Sequence, residues 1–212
     1  LQRRGDKWYI PWGREPTTHI LKPPRPDIDG HVENEHFCLR LAAELGLAVA
    51  KSEVIRFGRE SAIVVERYDR VVLNRRLTRV HQEDVCQALG VHPSRKYQSE
   101  GGPDIVNVME LLNRSNQPVE DRRRVMEAVV FNHLILGTDA HAKNFSLLLG
   151  VNQQVRLARL YDMASFIPYA ERRKDCRFAM KIGGYYKDAQ IQPRHFIKMA
   201  RSCEFAPQEL ID

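Results

Sequence analysis

The sequence predicts an α+β fold in two lobes, a small β-rich lobe with one helix over residues 1–70 and a mainly helical lobe over residues 71–212. Three observations carry this expectation. Short β-branched runs fill the first part of the chain, apolar residues recur at helical spacing between residues 82 and 136, and two short apolar runs face each other across a turn at 145–160. With 43% apolar and 28% charged side chains among 212 residues, the chain is long enough to bury a sizeable core.

Taken in order, Lys7-Trp-Tyr-Ile10 and Thr17-Thr-His-Ile-Leu-Lys22 read as strands, separated by Pro11, Gly13 and Pro16 and closed off by Pro23, Pro24 and Pro26. The spacing of Val32, Phe37, Leu41, Ala42 and Leu45 predicts a helix, with Gly46 where a left-handed C-terminal cap belongs. Val54–Phe57 and Ala62–Val65 flank Gly58 and predict a hairpin that runs into Glu66-Arg-Tyr-Asp-Arg70. Helices are expected over Gln82–Leu89, Ile105–Leu112 and Glu120–Leu136, the last with Val125, Val129, His133 and Leu136 on one face. Phe145–Leu149 and Val155–Leu160 bracket Gly150-Val-Asn-Gln153 as a second hairpin. Phe178–Ile182 reads as a further strand, and Pro193 opens a last helix in its first turn.

The 33 Lys and Arg exceed the 27 Asp and Glu by a formal +6, which favours polyanionic partners. The excess is scattered through Arg75–Arg76, Arg122–Arg124 and Arg172–Lys174, each of which reads as a solvated face. Four cysteines lie far apart with no C-x-x-C pair, the usage of reduced thiols in the cytoplasm. The most apolar stretch, Val129–Leu136, is broken by Asn132 and His133 and falls far short of the roughly 18 residues of a membrane span. A membrane partner is therefore not expected. Leu1 is not an initiator Met and no apolar signal segment follows it, so the chain is expected to be an excerpt.

The chemistry concentrates after the long helix, in Gly137-Thr-Asp139-Ala-His141-Ala-Lys-Asn144-Phe-Ser146, and again after the hairpin in Leu160-Tyr161-Asp162. Phosphoryl transfer needs a carboxylate to take the proton of the attacking hydroxyl and oxygen ligands that hold Mg2+ against nucleotide phosphates. The step from Asp139 to Asn144 equals that of the protein-kinase catalytic loop, and a hairpin then delivers a second Asp. The spacing assigns Asp139 as base, with Asn144 and Asp162 as metal ligands. His141, two residues past the base, is placed to present a polarised donor to the phosphoryl group. A carboxylate and an amide suit Mg2+ better than zinc. An Asp–Asn pair alone would read as a turn capping the helix, and the added Tyr-Asp after a hairpin reverses that order. Lys22 ends an apolar strand and precedes a helix carrying Glu33 and Glu35, the arrangement in which a strand Lys holds nucleotide phosphates and a helix carboxylate orients it. On its own Lys22 would read as a solvated strand edge.

Six blocks together resemble the HipA-type kinases in the same order and over nearly the whole chain: Thr17-Thr-His-Ile-Leu-Lys-Pro23, Val32-Glu-Asn-Glu-His-Phe-Cys-Leu39, Val64-Val-Glu-Arg-Tyr-Asp-Arg70, Lys96-Tyr-Gln-Ser-Glu-Gly-Gly-Pro103, Asp139-Ala-His-Ala-Lys-Asn-Phe-Ser146 and Leu160-Tyr-Asp162. The resemblance implies a two-lobed protein-kinase-like fold and an ATP-dependent serine/threonine protein kinase that acts as a toxin. It implies Lys22 on the nucleotide phosphates with Glu35 as its partner, and Glu66 and Tyr68 at the adenine through a hinge. Tyr161 joins the nucleotide contacts, Asp139 is the base with His141 close to the phosphates, and Asn144 and Asp162 hold Mg2+. It further implies a translation component such as an aminoacyl-tRNA synthetase as protein substrate, a HipB-like antitoxin as partner, contact with DNA mainly through that antitoxin, and a cytoplasmic location.

The family's phosphate-covering loop with its regulatory serine, its N-terminal subdomain and its last helices are expected to lie outside residues 1–212. Met163-Ala164 replaces the Phe-Gly of ordinary protein kinases, so no Phe-driven switch is implied. A small-molecule phosphotransferase shares the base and metal pattern, but those enzymes place His-Gly where Gly137-Thr138 stands and an aromatic where Met163 stands. A catalytically silent kinase-like binding module would be free to lose Lys22, Asp139, Asn144 or Asp162, and all four are present.

Overall fold

Short strands and five α-helices follow one another through residues 1–206, the residues that the computed structural model describes. A hairpin of β1 (Gln2–Arg4) and β2 (Lys7–Tyr9) opens the chain. It leans on β3 (His19–Lys22), because the Thr18 and His19 amides both donate to the Leu1 carbonyl at 3.0 and 3.1 Å. β3, β4 (Ser52–Phe57) and β5 (Glu60–Glu66) form an antiparallel sheet in the order β3-β5-β4, with Lys22 opposite Ile63.

Helix α1 (His31–Glu44) covers this sheet with Val32, Glu35, Cys38, Leu39 and Ala42 buried. Phe37 is a correction: it is 65% exposed, because five residues from Val32 turn a helix about 140° off the buried face. Leu45, also assigned to that face, is exposed as well. Gly46 does end the helix, at φ 87°, with its amide on the Ala43 carbonyl and that of Leu47 on Ala42. This is the paired bonding that a left-handed residue after a helix allows.

A hairpin of β6 (Arg70–Leu73) and β7 (Arg76–Arg79) follows, turning on Asn74 and Arg75, both at positive φ. Its arginines hold the first lobe, since Arg70 Nε donates to the Thr17 carbonyl at 2.7 Å and Arg79 to those of Arg14 and Glu15. The helix expected over Gln82–Leu89 is only its second half. Residues His81–Asp84 form strand β8 against β9 (Ser146–Leu149), and α2 is the single turn Val85–Ala88. Asp84 is the switch: its carboxylate accepts the Gln87 amide while the Gln87 side chain accepts the Asp84 amide, a capping box.

Helices α3 (Ile105–Leu112) and α4 (Pro118–Leu134) supply much of the apolar core, which is continuous with the residues under α1, and β10 (Val155–Leu157) completes the sheet β10-β9-β8. β11 (Arg177–Ile182), β12 (Tyr185–Lys187) and α5 (Pro193–Ser202) close the described chain. The two halves meet where the connection before β4 pairs with the strand end after β10: the Ala50 amide donates to the Leu160 carbonyl at 2.8 Å and the Leu160 amide to Ala48 at 2.9 Å. That bridge sets the chain immediately before Asp162. Among the described residues no helix is long and apolar enough to cross a membrane, and all four cysteines are free thiols.

Asp121 ties α4 to the hairpin. It is 0% exposed and accepts bonds from the Ser115 hydroxyl, the Leu157 amide, Arg156 and Arg124. Burial opposes its ionisation, but Arg156, Ser115 and the Leu157 amide outweigh it and hold the carboxyl below its ordinary 3.8. A folded pKa below the unfolded one stabilises the protein above that unfolded value, and the stabilisation is lost as pH falls through the folded value. Asp121→Ala strands buried Arg124 beside Arg156, a loss of about 3–5 kcal/mol at neutral pH. Urea unfolding checks it, and the gap between wild type and variant should narrow below pH 3.8.

Candidate active site

The loop that follows α4 is a chain of tight turns. Leu136 takes φ 56° and Gly137 lies so close to α4 that a Cβ there would stand 2.5 Å from Asn132 Oδ1. Close approach, rather than a special φ, requires glycine at 137. The His141 amide then donates to the Asp139 carbonyl at 2.8 Å and the Asn144 amide to that of His141 at 2.9 Å. These turns leave Asp139 exposed at the mouth of a cleft and bury His141 and Asn144 beneath it.

Asp162 is brought to the same place from the other side. Its backbone is left-handed at φ 56°, a conformation Asp tolerates better than most residues. The Asn144 side-chain nitrogen donates to the Asp162 carbonyl at 3.3 Å, and among the described residues nothing is bonded to Asn144 Oδ1. Lys22 Nζ donates to Asp162 Oδ1 at 2.6 Å and to Glu35 Oε1 at 2.7 Å. Glu35 is 1% exposed, whereas Glu33, the other carboxylate in the first turns of this helix, faces solvent. Burial pulls the Lys22 ammonium down, but Glu35 and Asp162 outweigh it and its pKa ends above the ordinary range. Burial pushes Glu35 up against the pull of Lys22. Lys22 is thus the main group opposing the effect of burial on this carboxyl.

Two cavities share Lys22 and Asp162. The larger, about 600 Å³, is lined by Pro24, His31, Asn34 and Asp139 among others. The smaller, about 100 Å³, is walled by Ile20, Val65, Glu66, Tyr68, Gln82 and Tyr161. The Tyr161 ring lies 6.1 Å from that of Tyr68, but its hydroxyl is turned to the loop that follows α4, on the Lys143 carbonyl at 2.7 Å and Ser146 Oγ at 2.5 Å. Tyr161 therefore offers a surface and no free polar group. Burial pushes its phenol up to about 12 and raises that of Tyr68 too. The Glu66 side chain points to solvent. Just beyond it, buried Asp69 clamps Arg67 and Arg70, both at 2.7 Å, which stiffens the connection.

Burial lowers the His141 pKa although Asp139 pulls the other way, which favours the neutral ring. Its Nδ1 is buried without a hydrogen-bond partner among the described residues. One carboxylate oxygen and one amide oxygen, from Asp162 and Asn144, make a small hard donor set. It fits a cation such as Mg2+ that takes its remaining oxygens from phosphates and water. Among the described residues no group of three His, Cys, Asp or Glu side chains is placed to hold a metal alone.

Two residues of this site escape sequence reasoning. Asn34, beside Glu35, exchanges both amide bonds with the Ser165 backbone at 2.8 Å, so α1 grips Lys22 and the segment after Asp162 together. Tyr97 donates its hydroxyl to Asp139 Oδ1 at 2.6 Å. Both lie in blocks that stand out as motifs, yet their partners are 131 and 42 residues away.

The family described as the HipA-like C-terminal domain matches residues 5–212. A Sinorhizobium fredii protein carrying a kinase name, Y4mE, is 44% identical over 176 residues, 82% of this chain and 41% of that protein. The serine/threonine-protein kinase toxin HipA of Shewanella oneidensis is 33% identical over 158 residues, 68% of this chain and 36% of that one. A solved chain from the Shewanella oneidensis toxin–antitoxin complex of HipA, HipB and operator DNA superposes with a TM-score of 0.90 at 27% identity. That match covers 100% of this chain and 51% of the other. The chain thus spans about half or less of the relatives it matches.

Proposed function

From the premise that the chain belongs to the HipA-like C-terminal domain family, we propose that it is the ATP-binding and catalytic core of a serine/threonine protein kinase acting as a toxin. The observation that supports this reading best is that Lys22, Asp139 and Asp162 line one cleft, with Glu35 bonded to Lys22 and Asn144 to Asp162 behind them. In this reading residues 1–70 form the nucleotide lobe and 71–212 the catalytic lobe. Adenine occupies the smaller recess, against the backbone of Glu66 and Tyr68 and the ring of Tyr161. Lys22, held charged by Glu35, lies on the phosphates. Asn144 and Asp162 hold Mg2+, which neutralises phosphate charge when bound.

Asp139 acts as the base. Among the described residues its Oδ1 is bonded to Tyr97 and nothing is bonded to Oδ2. An acceptor hydroxyl gives its proton to Oδ2 as its oxygen bonds the γ-phosphorus and the bond to the β-γ bridging oxygen breaks. His141 is buried beneath Asp139 in the same loop, where a ring N–H would serve as a donor toward the transferring group. The main work of the protein is positioning and charge stabilisation.

The same reading gives the chain a HipB-like antitoxin as partner, after the complex of HipA, HipB and operator DNA, with DNA reached through that antitoxin. Its substrate is a protein hydroxyl, with an aminoacyl-tRNA synthetase as the expected class, and its location is cytoplasmic. Phosphoproteomics after induction of the intact protein tests it. One heavily modified serine or threonine on a translation component is the expected outcome, and phosphate found only on small molecules would overturn it.

A further inference from the structure

The block Lys96–Pro103 takes no part in the chemistry above, yet it is built with care. It forms the connection between α2 and α3 and turns back on Tyr97, whose carbonyl accepts the amides of Glu100 and Gly102 at 3.0 Å each. Gly101 is left-handed at φ 81°. A Cβ on Gly102 would stand 2.0 Å from the Arg95 carbonyl oxygen and 2.8 Å from that of Tyr97, so only glycine closes the turn. On its outer side the Lys181 amide of β11 donates to Gln98 Oε1 at 2.7 Å, fastening the loop to the second lobe.

The result of this construction is the placement of one side chain. The Tyr97 ring stands edge-on to the His141 ring at 5.1 Å, and Lys96 Nζ lies 4.8 Å from its centre. Its hydroxyl then reaches Asp139. We propose that Tyr97 is a positioning residue for phosphoryl transfer: its hydroxyl fixes the Asp139 carboxylate through Oδ1 and leaves Oδ2 directed at the acceptor.

The inference rests on Asp139 being the base. A carboxylate free to turn about its Cβ–Cγ bond would spread its lone pairs over many directions, whereas one pinned through a single oxygen presents the other in a fixed one. Burial and the bond to Asp139 push the Tyr97 phenol up to about 12, so it remains a donor at neutral pH and never competes as a base.

Tyr97→Phe in the intact protein keeps the ring against His141 and removes only the hydroxyl. With γ-labelled ATP as probe and a desalted cell extract as acceptor, the maximal rate of protein labelling should fall about tenfold, the scale of one lost charge-assisted bond in the transition state. The apparent KM for ATP and the unfolding temperature should not move. In an Asp139→Asn background the same change should cost nothing further, because the two residues act as one unit. A Tyr97→Phe rate within about twofold of wild type, or an equal loss in both backgrounds, would overturn the proposal. Wild type labelling no faster than Asp139→Asn would instead overturn the base assignment and this inference with it.

Discussion

Asp139→Asn in the intact protein should abolish phosphate transfer to a hydroxyl acceptor, slowing it by about 10²–10⁴-fold, the usual contribution of a general base. The amide has the carboxylate's size and its oxygen can still accept from Tyr97, so the loop should keep its shape. The proton acceptor at the second oxygen is lost. Asp139 borders the larger cleft and lies outside the lining of the smaller recess, so nucleotide affinity should stay close to wild type. Calorimetric ATP binding together with a single-turnover rate separates the two quantities. Turnover at the wild-type rate would remove Asp139 from the chemistry.

Asp162→Ala should give the second large effect, on metal-dependent binding. Asp162 supplies the one carboxylate of the donor set, and Asn144 is held to its backbone by a bond that the substitution leaves in place. Even outer-shell partners of metal ligands are worth about 10–100-fold in metal affinity, so loss of a ligand should weaken Mg–ATP binding by at least that order. Lys22 keeps Glu35, its more buried partner, and so remains charged and placed for the phosphates. Nucleotide binding without Mg2+ should therefore change little. Calorimetry with and without Mg2+ reads the difference, and equal losses in both conditions would make Asp162 a turn residue only.

Where spacing along the chain carries the chemistry, the sequence is a good guide. Asp139, His141 and Asn144 share one loop, and the hairpin that returns Asp162 to them is marked by apolar runs on either side of a turn. Lys22 is legible for a similar reason, as a strand end before a helix, but the spacing leaves Glu33 and Glu35 both open, and only burial separates them. What escapes is tertiary. Gln82–Leu89 has the makings of a helix, yet pairing with β9 claims its first half and leaves only the turn capped by Asp84. The β6–β7 hairpin turns on Asn74-Arg75 at positive φ, and an arginine at the second turn position hides a signal that glycine would have made plain. Phe37 is apolar but one position off the buried face. Tyr97 and Asn34 are ordinary residues until the fold brings their partners to them, and no local pattern encodes either bond.

The central claim is that this cleft moves the γ-phosphate of ATP to a protein hydroxyl. The most direct measurement follows labelled γ-phosphate in one reaction of the intact protein with ATP, Mg2+ and desalted extract, beside the Asp139→Asn protein under the same conditions. Acid-stable label should appear on serine or threonine in the wild-type reaction and almost none in the variant. Label that stays on ATP in both, or that passes to protein equally well without the Asp139 carboxylate, would contradict that claim.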